Sequence, residues 1–189
     1  MRNYLNIRTI EWAIRINVVL KLLNYGVGKI IGQQFYTANN IPSEVAQLTL
    51  GEVGAYNLAW TFFGYSKGYI LFIGISQIIG ALLFLINRTK LLGGAILVPI
   101  LLNIIVVDVF FGVAYGALFS ACFYLGSILF VFYLHKEKLL RIIRDLIVNS
   151  ENQALKESTW TFIGSVVVLV VLVFFFEYFF IDFFGYEDR

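Results

Sequence analysis

Four stretches of this chain, Gly68 to Asn87, Leu91 to Val109, Val113 to Leu134 and Phe162 to Ile181, each carry at most one charged residue. A bilayer core about 30 Å thick needs roughly 20 apolar residues in helical form, so each stretch is long enough to cross it. In hydrocarbon every backbone N–H and C=O must find its partner within the protein, which leaves the helix as the structure for segments of this length. The chain is 60% hydrophobic and 14% charged, too apolar for a soluble domain with a polar surface.

A fifth segment, Trp12 to Ile31, has the right length but contains Arg15, Asn17, Lys21, Asn24 and Lys29. At 100° per residue Asn17, Lys21, Asn24, Gly28 and Gly32 fall on one side, and Ile16, Val19, Leu20, Leu23, Val27, Ile30 and Ile31 cover the other. This pattern predicts a span whose polar face turns into a bundle, with Gly28 and Gly32 as a small-residue pair for close packing. The alternative is an amphipathic helix lying in the interface. With five spans, Arg2, Arg8, Arg88, Lys90, Lys136, Lys138, Arg141, Arg144 and Lys156 fall on one side of the membrane, and only Lys67 and Arg189 on the other. The positive-inside rule then puts the N-terminus in the cytoplasm and the C-terminus outside.

The expected fold is thus an all-α membrane protein, a four-helix transmembrane bundle plus a fifth C-terminal transmembrane helix. Residues 1–134 form the bundle, 135–158 a basic amphipathic helix on the inner leaflet, and 159–189 the last span and an outer tail. An outer connection from Phe35 to Lys67 holds a helix start at Pro42-Ser43-Glu44 and an aromatic stretch, Ala59 to Tyr65, at the headgroup level. The third and fourth spans are joined by little more than Phe110-Phe111-Gly112, which makes them antiparallel neighbours.

Composition narrows the chemistry. Cys122 is the only cysteine and His135 the only histidine, so this chain alone builds no CxxC pair, internal disulfide, zinc site or bis-histidine haem site. Cys122 reads as a small apolar residue. The basic residues sort by membrane side and form no groove-binding patch, which argues against a nucleic-acid partner.

Polar side chains at membrane depth are the functional candidates. Lys29 and Asp108 lie at the outer ends of their spans and are expected to meet as a buried ion pair. Asn103 follows Pro99, whose missing N–H frees the carbonyl of Ala95 and bends the helix. Gln77 and Lys21 sit near the middles of their spans. With Asn17, Asn24 and Asn57, these residues predict an outward-opening polar cavity between the first three spans, with Arg88 and Trp60 as structural anchors. Interhelical hydrogen bonds that merely hold the bundle together are the competing reading of the same residues.

The runs Tyr25-Gly26-Val27-Gly28-Lys29, Gln34-Phe35, Asn57-Leu58-Ala59-Trp60, Phe63-Gly64-Tyr65-Ser66, Arg88-Thr89 with Leu92-Gly93, and Asn103-Ile104 with Asp108 resemble the DoxX-like family of small bacterial membrane proteins. The resemblance covers roughly Tyr4 to Leu134. It implies a place in the bacterial inner membrane, a four-helix bundle and, for founding members, a role as a subunit of a membrane quinone-linked oxidoreductase. The chain departs from that pattern in its added span and in Gln77, where relatives often carry a glutamate. Three functions follow as expectations: a membrane subunit binding a quinone or other lipophile, with no covalently bound cofactor; a non-enzymatic envelope scaffold; and a small-solute transporter. Membrane lipids and a membrane protein partner or second copy are the expected company.

Overall fold

The computed structural model describes residues 6–32, 34–148 and 159–183, and every regular element among them is helical. The helices are α1 (Ile7–Ile30), α2 (Ser43–Ala46), α3 (Ala55–Tyr65), α4 (Lys67–Leu85), α5 (Lys90–Phe110), α6 (Tyr115–Leu134), α7 (Lys136–Val148) and α8 (Thr159–Phe183). Two compact units divide the chain, Met1–Arg141 and Ile142–Arg189.

In the first unit α1 packs on α4, α4 on α5, α5 on α6, and α6 closes the ring against α1. Val18, Leu22, Ala81, Phe84, Leu97, Leu101, Tyr124, Ile128 and Val131 fill its centre. Apolar burial does not organise such a bundle in lipid as it does in water; close backbone approach and interhelical hydrogen bonds do. The close approaches are visible at three glycines. A Cβ on Gly26 would stand 2.8 Å from Ile78 and 3.3 Å from the Gly74 carbonyl, so this pair sets the α1–α4 crossing. A Cβ on Gly93 would stand 2.2 Å from the Phe84 nitrogen, where α5 crosses the end of α4.

This corrects the expectation for α1. Gly28 has nothing within 4 Å of a Cβ position, and Gly32, at φ +76°, ends the helix by accepting the left-handed conformation that side chains disfavour. The inward face of α1 is Glu11, Arg15, Val18, Val19, Leu22, Gly26 and Lys29, while Asn17, Lys21 and Asn24 are exposed on the outside of the bundle.

Helix α5 runs through Pro99 to Phe110. It stops at a Schellman turn in which Phe111 N–H donates to the Val107 carbonyl and Val113 N–H to that of Asp108, with Gly112 at φ +66°. The short connection to α6 leaves the two helices as the adjacent pair anticipated from sequence. Pro42-Ser43-Glu44 does start a helix, but α2 is one turn long. The aromatic stretch is the helix α3, whose Gly64 sits so close under Tyr36 that a Cβ would lie 1.9 Å from its carbonyl oxygen. Tyr36 N–H donates to the Trp60 carbonyl at 3.2 Å, strapping the segment after α1 onto α3.

Helix α7 begins directly after the α6 cap at His135, and its Leu140, Ile142 and Ile143 are exposed among Lys136, Lys138, Arg141 and Arg144. The rest of the expected linker, 149–158, and the tail, 184–189, lie outside the described residues. In the second unit α8 exposes its apolar residues from Trp160 to Phe176. Among the described residues, four helices are long and apolar enough to cross a membrane: α4, α5, α6 and the Trp160–Glu177 part of α8. Charge keeps α1 out of that set, although it is long enough and completes the bundle.

Candidate functional site: a cavity with a charged floor

Lys29 lies in the last turn of α1, where a cation suits the partial negative charge of the helix end. Its ammonium turns inward and donates to Gln77 Oε1 at 3.1 Å, and Gln77 Nε2 in turn donates to the Leu22 carbonyl at 2.8 Å. Gln77 is 1% exposed and Lys29 6%. Thus the amide ties α4 to α1 while fixing the lysine.

Asp108 occupies the last turn of α5, where the helix dipole disfavours a negative charge. It is 6% exposed, and its Oδ2 has no hydrogen-bond partner. The anticipated ion pair with Lys29 is not formed. Among the described residues the ion pairs within 4.0 Å all belong to Glu11, and Lys29 is bonded to the Gln77 amide instead. The two charges nonetheless share one chamber. A cavity of about 480 Å³ is lined by Lys29, Gln77, Asp108 and Asn103 on its polar side and by Phe35, Trp60, Phe63, Tyr69, Phe72, Ile73, Ile100 and Ile104 on its apolar side. Phe72, Pro99 and Asn103 are exposed on the outside of the bundle, so the mouth opens between α4 and α5. A smaller pocket, about 110 Å³, lies on the α6 side among Tyr25, Ser120 and Tyr124 and touches the same Lys29, Gln77 and Asp108.

Of the sequence candidates, the structure brings Lys29, Gln77, Asn103 and Asp108 together. Lys21 is exposed and outside both pockets, a correction that follows from the rotation of α1 already described. Asn57 also stands outside them; it accepts from the Tyr36 hydroxyl at 3.3 Å and its carbonyl accepts from Thr61. Trp60 packs edge-on against Phe35, stacks on Tyr56 and forms cavity wall. Arg88 is exposed.

Sequence reasoning missed a second polar cluster, at the opposite end of α1. Arg15, 0% exposed, donates through Nε to the Phe84 carbonyl at 3.0 Å, through one terminal nitrogen to Asn87 Oδ1 at 2.7 Å and Glu11 Oε1 at 3.3 Å, and through the other to the Leu85 carbonyl. These are the free carbonyls at the end of α4, which a guanidinium fork satisfies. Glu11 continues the network to Lys90 at 2.6 Å and His135 at 3.1 Å, linking α1 to the start of α5 and the cap of α6. The spacing of Glu11 and Arg15, four residues apart, was the available signal.

Fold and site together define a class: an all-helical protein with four apolar, span-length helices, and a bundle enclosing an aromatic-walled cavity above buried charges. Against known proteins, a stretch of 106 residues, 56% of this chain, is 35% identical to YwoB, an uncharacterised protein of Bacillus subtilis strain 168. That stretch spans 65% of the relative's length. No family model matches the chain. No solved structure matches it.

Proposed function

We propose that this protein is a multi-pass membrane subunit that holds a quinone or similar lipophile in the cavity between α4 and α5. The observation that supports it is the pairing of an apolar, aromatic-walled chamber of about 480 Å³ with a floor of Lys29, Gln77 and Asp108. Ligand sites combine a mainly apolar lining with a few convergent polar groups in this way, within a volume range of roughly 300–1,000 Å³. A mouth that opens on the bundle's outer face suits a ligand arriving through lipid. The resemblance to DoxX-like proteins points to the same class, with electrons exchanged by a partner subunit.

The test is binding to the purified full chain in detergent, read by quenching of tryptophan fluorescence with a decyl-tailed benzoquinone. Saturable quenching that falls sharply in Trp60→Phe is the expected result. Ser76→Phe, which places a ring inside the cavity, should abolish it while leaving the melting temperature near the parent's. Quenching that persists undiminished in Ser76→Phe would remove the cavity from the account.

In this reading α1 and α8 both cross the membrane, giving five spans with the N-terminus inside. A tag after Arg189 is then reached by an impermeant reagent in intact cells, and one inserted at Asn149 only after lysis. Two tags on one side would eliminate α8 as a span, and the reverse pattern would overturn the charge argument.

One observation favours a second reading, assembly with another membrane protein. Asn17, Lys21 and Asn24 form a polar stripe on the exterior of the bundle, and such groups are costly against lipid. Native mass spectrometry from mild detergent separates the readings, since it weighs bound lipophile and bound subunits in one measurement.

A further inference from the structure

Resting on the lipophile reading, we infer that the cavity selects a ligand whose head carries a hydroxyl group, the hydroquinone or phenol form in preference to the ketone. Both floor charges have hydrogen-bonding capacity left over. Lys29 gives one of its three donor protons to Gln77, so it has donors left for a ligand oxygen. Asp108 Oδ2 is a buried acceptor without a donor. The side chains do not pair within 4.0 Å, yet both line the same chamber, and one ligand oxygen is placed between them.

A hydroxyl oxygen fills that place on both sides, accepting from Lys29 through a lone pair and donating its proton to Asp108. A ketone oxygen accepts from Lys29 but sets its second lone pair against the carboxylate, which stays unsatisfied. An orphaned buried acceptor bears the full desolvation cost of its group. The placement of Asp108 adds a second reason. At the C-terminal end of α5 the helix carbonyls already crowd negative potential around the carboxylate, so a proton donor is drawn there and another acceptor is repelled. Neither feature serves helix stability, and both are met by one ligand hydroxyl.

The experiment compares a decyl-tailed benzoquinone with its chemically reduced hydroquinone, titrated separately under argon into the full chain by calorimetry. The wild type should bind the hydroquinone about 10-fold or more tighter, the range that one hydrogen bond to a buried charged acceptor supplies. Asp108→Leu should bring the two affinities together, because it removes the acceptor while keeping the chamber closed. Asp108→Asn retains shape and a weaker acceptor, so its preference should shrink without vanishing, and it decides the matter if the leucine variant does not fold. Equal affinities in the wild type, a preference for the ketone, or a preference untouched in the Asp108 variants would each overturn the inference while leaving a lipophile site standing. Binding of neither form would sink the lipophile reading itself, and this inference with it.

Discussion

Replacing Arg15 with methionine is expected to destabilise the protein by about 3–5 kcal/mol, the usual cost of removing one partner from a buried charged network. Four acceptors depend on this one side chain: the Phe84 and Leu85 carbonyls, Asn87 and Glu11. Methionine keeps an apolar stem of similar length, but it loses the guanidinium that lies 4.6 Å from the Trp12 ring and returns none of the donors. Arg15→Lys should recover only part of the loss, since an ammonium cannot reach several acceptors in a planar fork. Thermal unfolding in detergent measures both. A methionine variant that melts with the wild type would show that the end of α4 finds its hydrogen bonds elsewhere, and that the network is ornamental to stability.

Gly93→Ala should cost about 3 kcal/mol or more, at or beyond the upper end of overpacking penalties, because its new methyl group would meet backbone and not a side chain that can swing aside. The Phe84 nitrogen at 2.2 Å, the Leu83 carbonyl carbon at 2.6 Å and the Gly80 oxygen at 2.7 Å leave only separation of α4 from α5 as relief. Since that seam also carries the cavity mouth, ligand binding should weaken along with stability. Gly28→Ala is the matched control, with open space around its Cβ and a gain in helix propensity of up to about 1 kcal/mol. If Gly28→Ala proved the more damaging of the two, the packing of α1 described here would be wrong.

The contrast between these glycines shows what could be read from the chain. Hydrocarbon thickness imposes length, so α4, α5, α6 and α8 are visible as long apolar runs with at most one charge each, and the tight α5–α6 connection follows from three residues, one of them a glycine. Rotation of a helix about its axis is a different matter. Polarity alone turned Asn17, Lys21 and Asn24 inward, because a polar group avoids lipid. The structure instead buries Arg15 and Lys29, whose long side chains reach acceptors on α4 and just beyond its end that lie 48 to 72 residues away in sequence. No periodicity encodes such distant partners. The cavity was legible to the extent that Lys29, Gln77, Asn103 and Asp108 share it. Their pairing was not, since opposite charges at the same helix ends suggested a direct bond, whereas Lys29 donates to the Gln77 amide. The Arg15 cluster went unread because two of its four acceptors are main-chain carbonyls, which every sequence contains, and Asn87 lies 72 residues away.

Lys29, Gln77 and Asp108 border both the large chamber and the small pocket beside α6. A pocket of about 110 Å³, mainly apolar but with Lys29, Gln77, Asp108, Ser120, Tyr25 and Tyr124 on its walls, is roomy enough to hold a few water molecules, each occupying about 30 Å³, beside those polar groups. Whatever draws Lys29 or Asp108 toward a molecule in one compartment removes the same donors and acceptors from the other. If the large chamber holds the proposed lipophile, the two spaces form one thermodynamic system: occupancy of the chamber sets the hydration of the small pocket, and by reciprocity hydration there sets affinity for the lipophile.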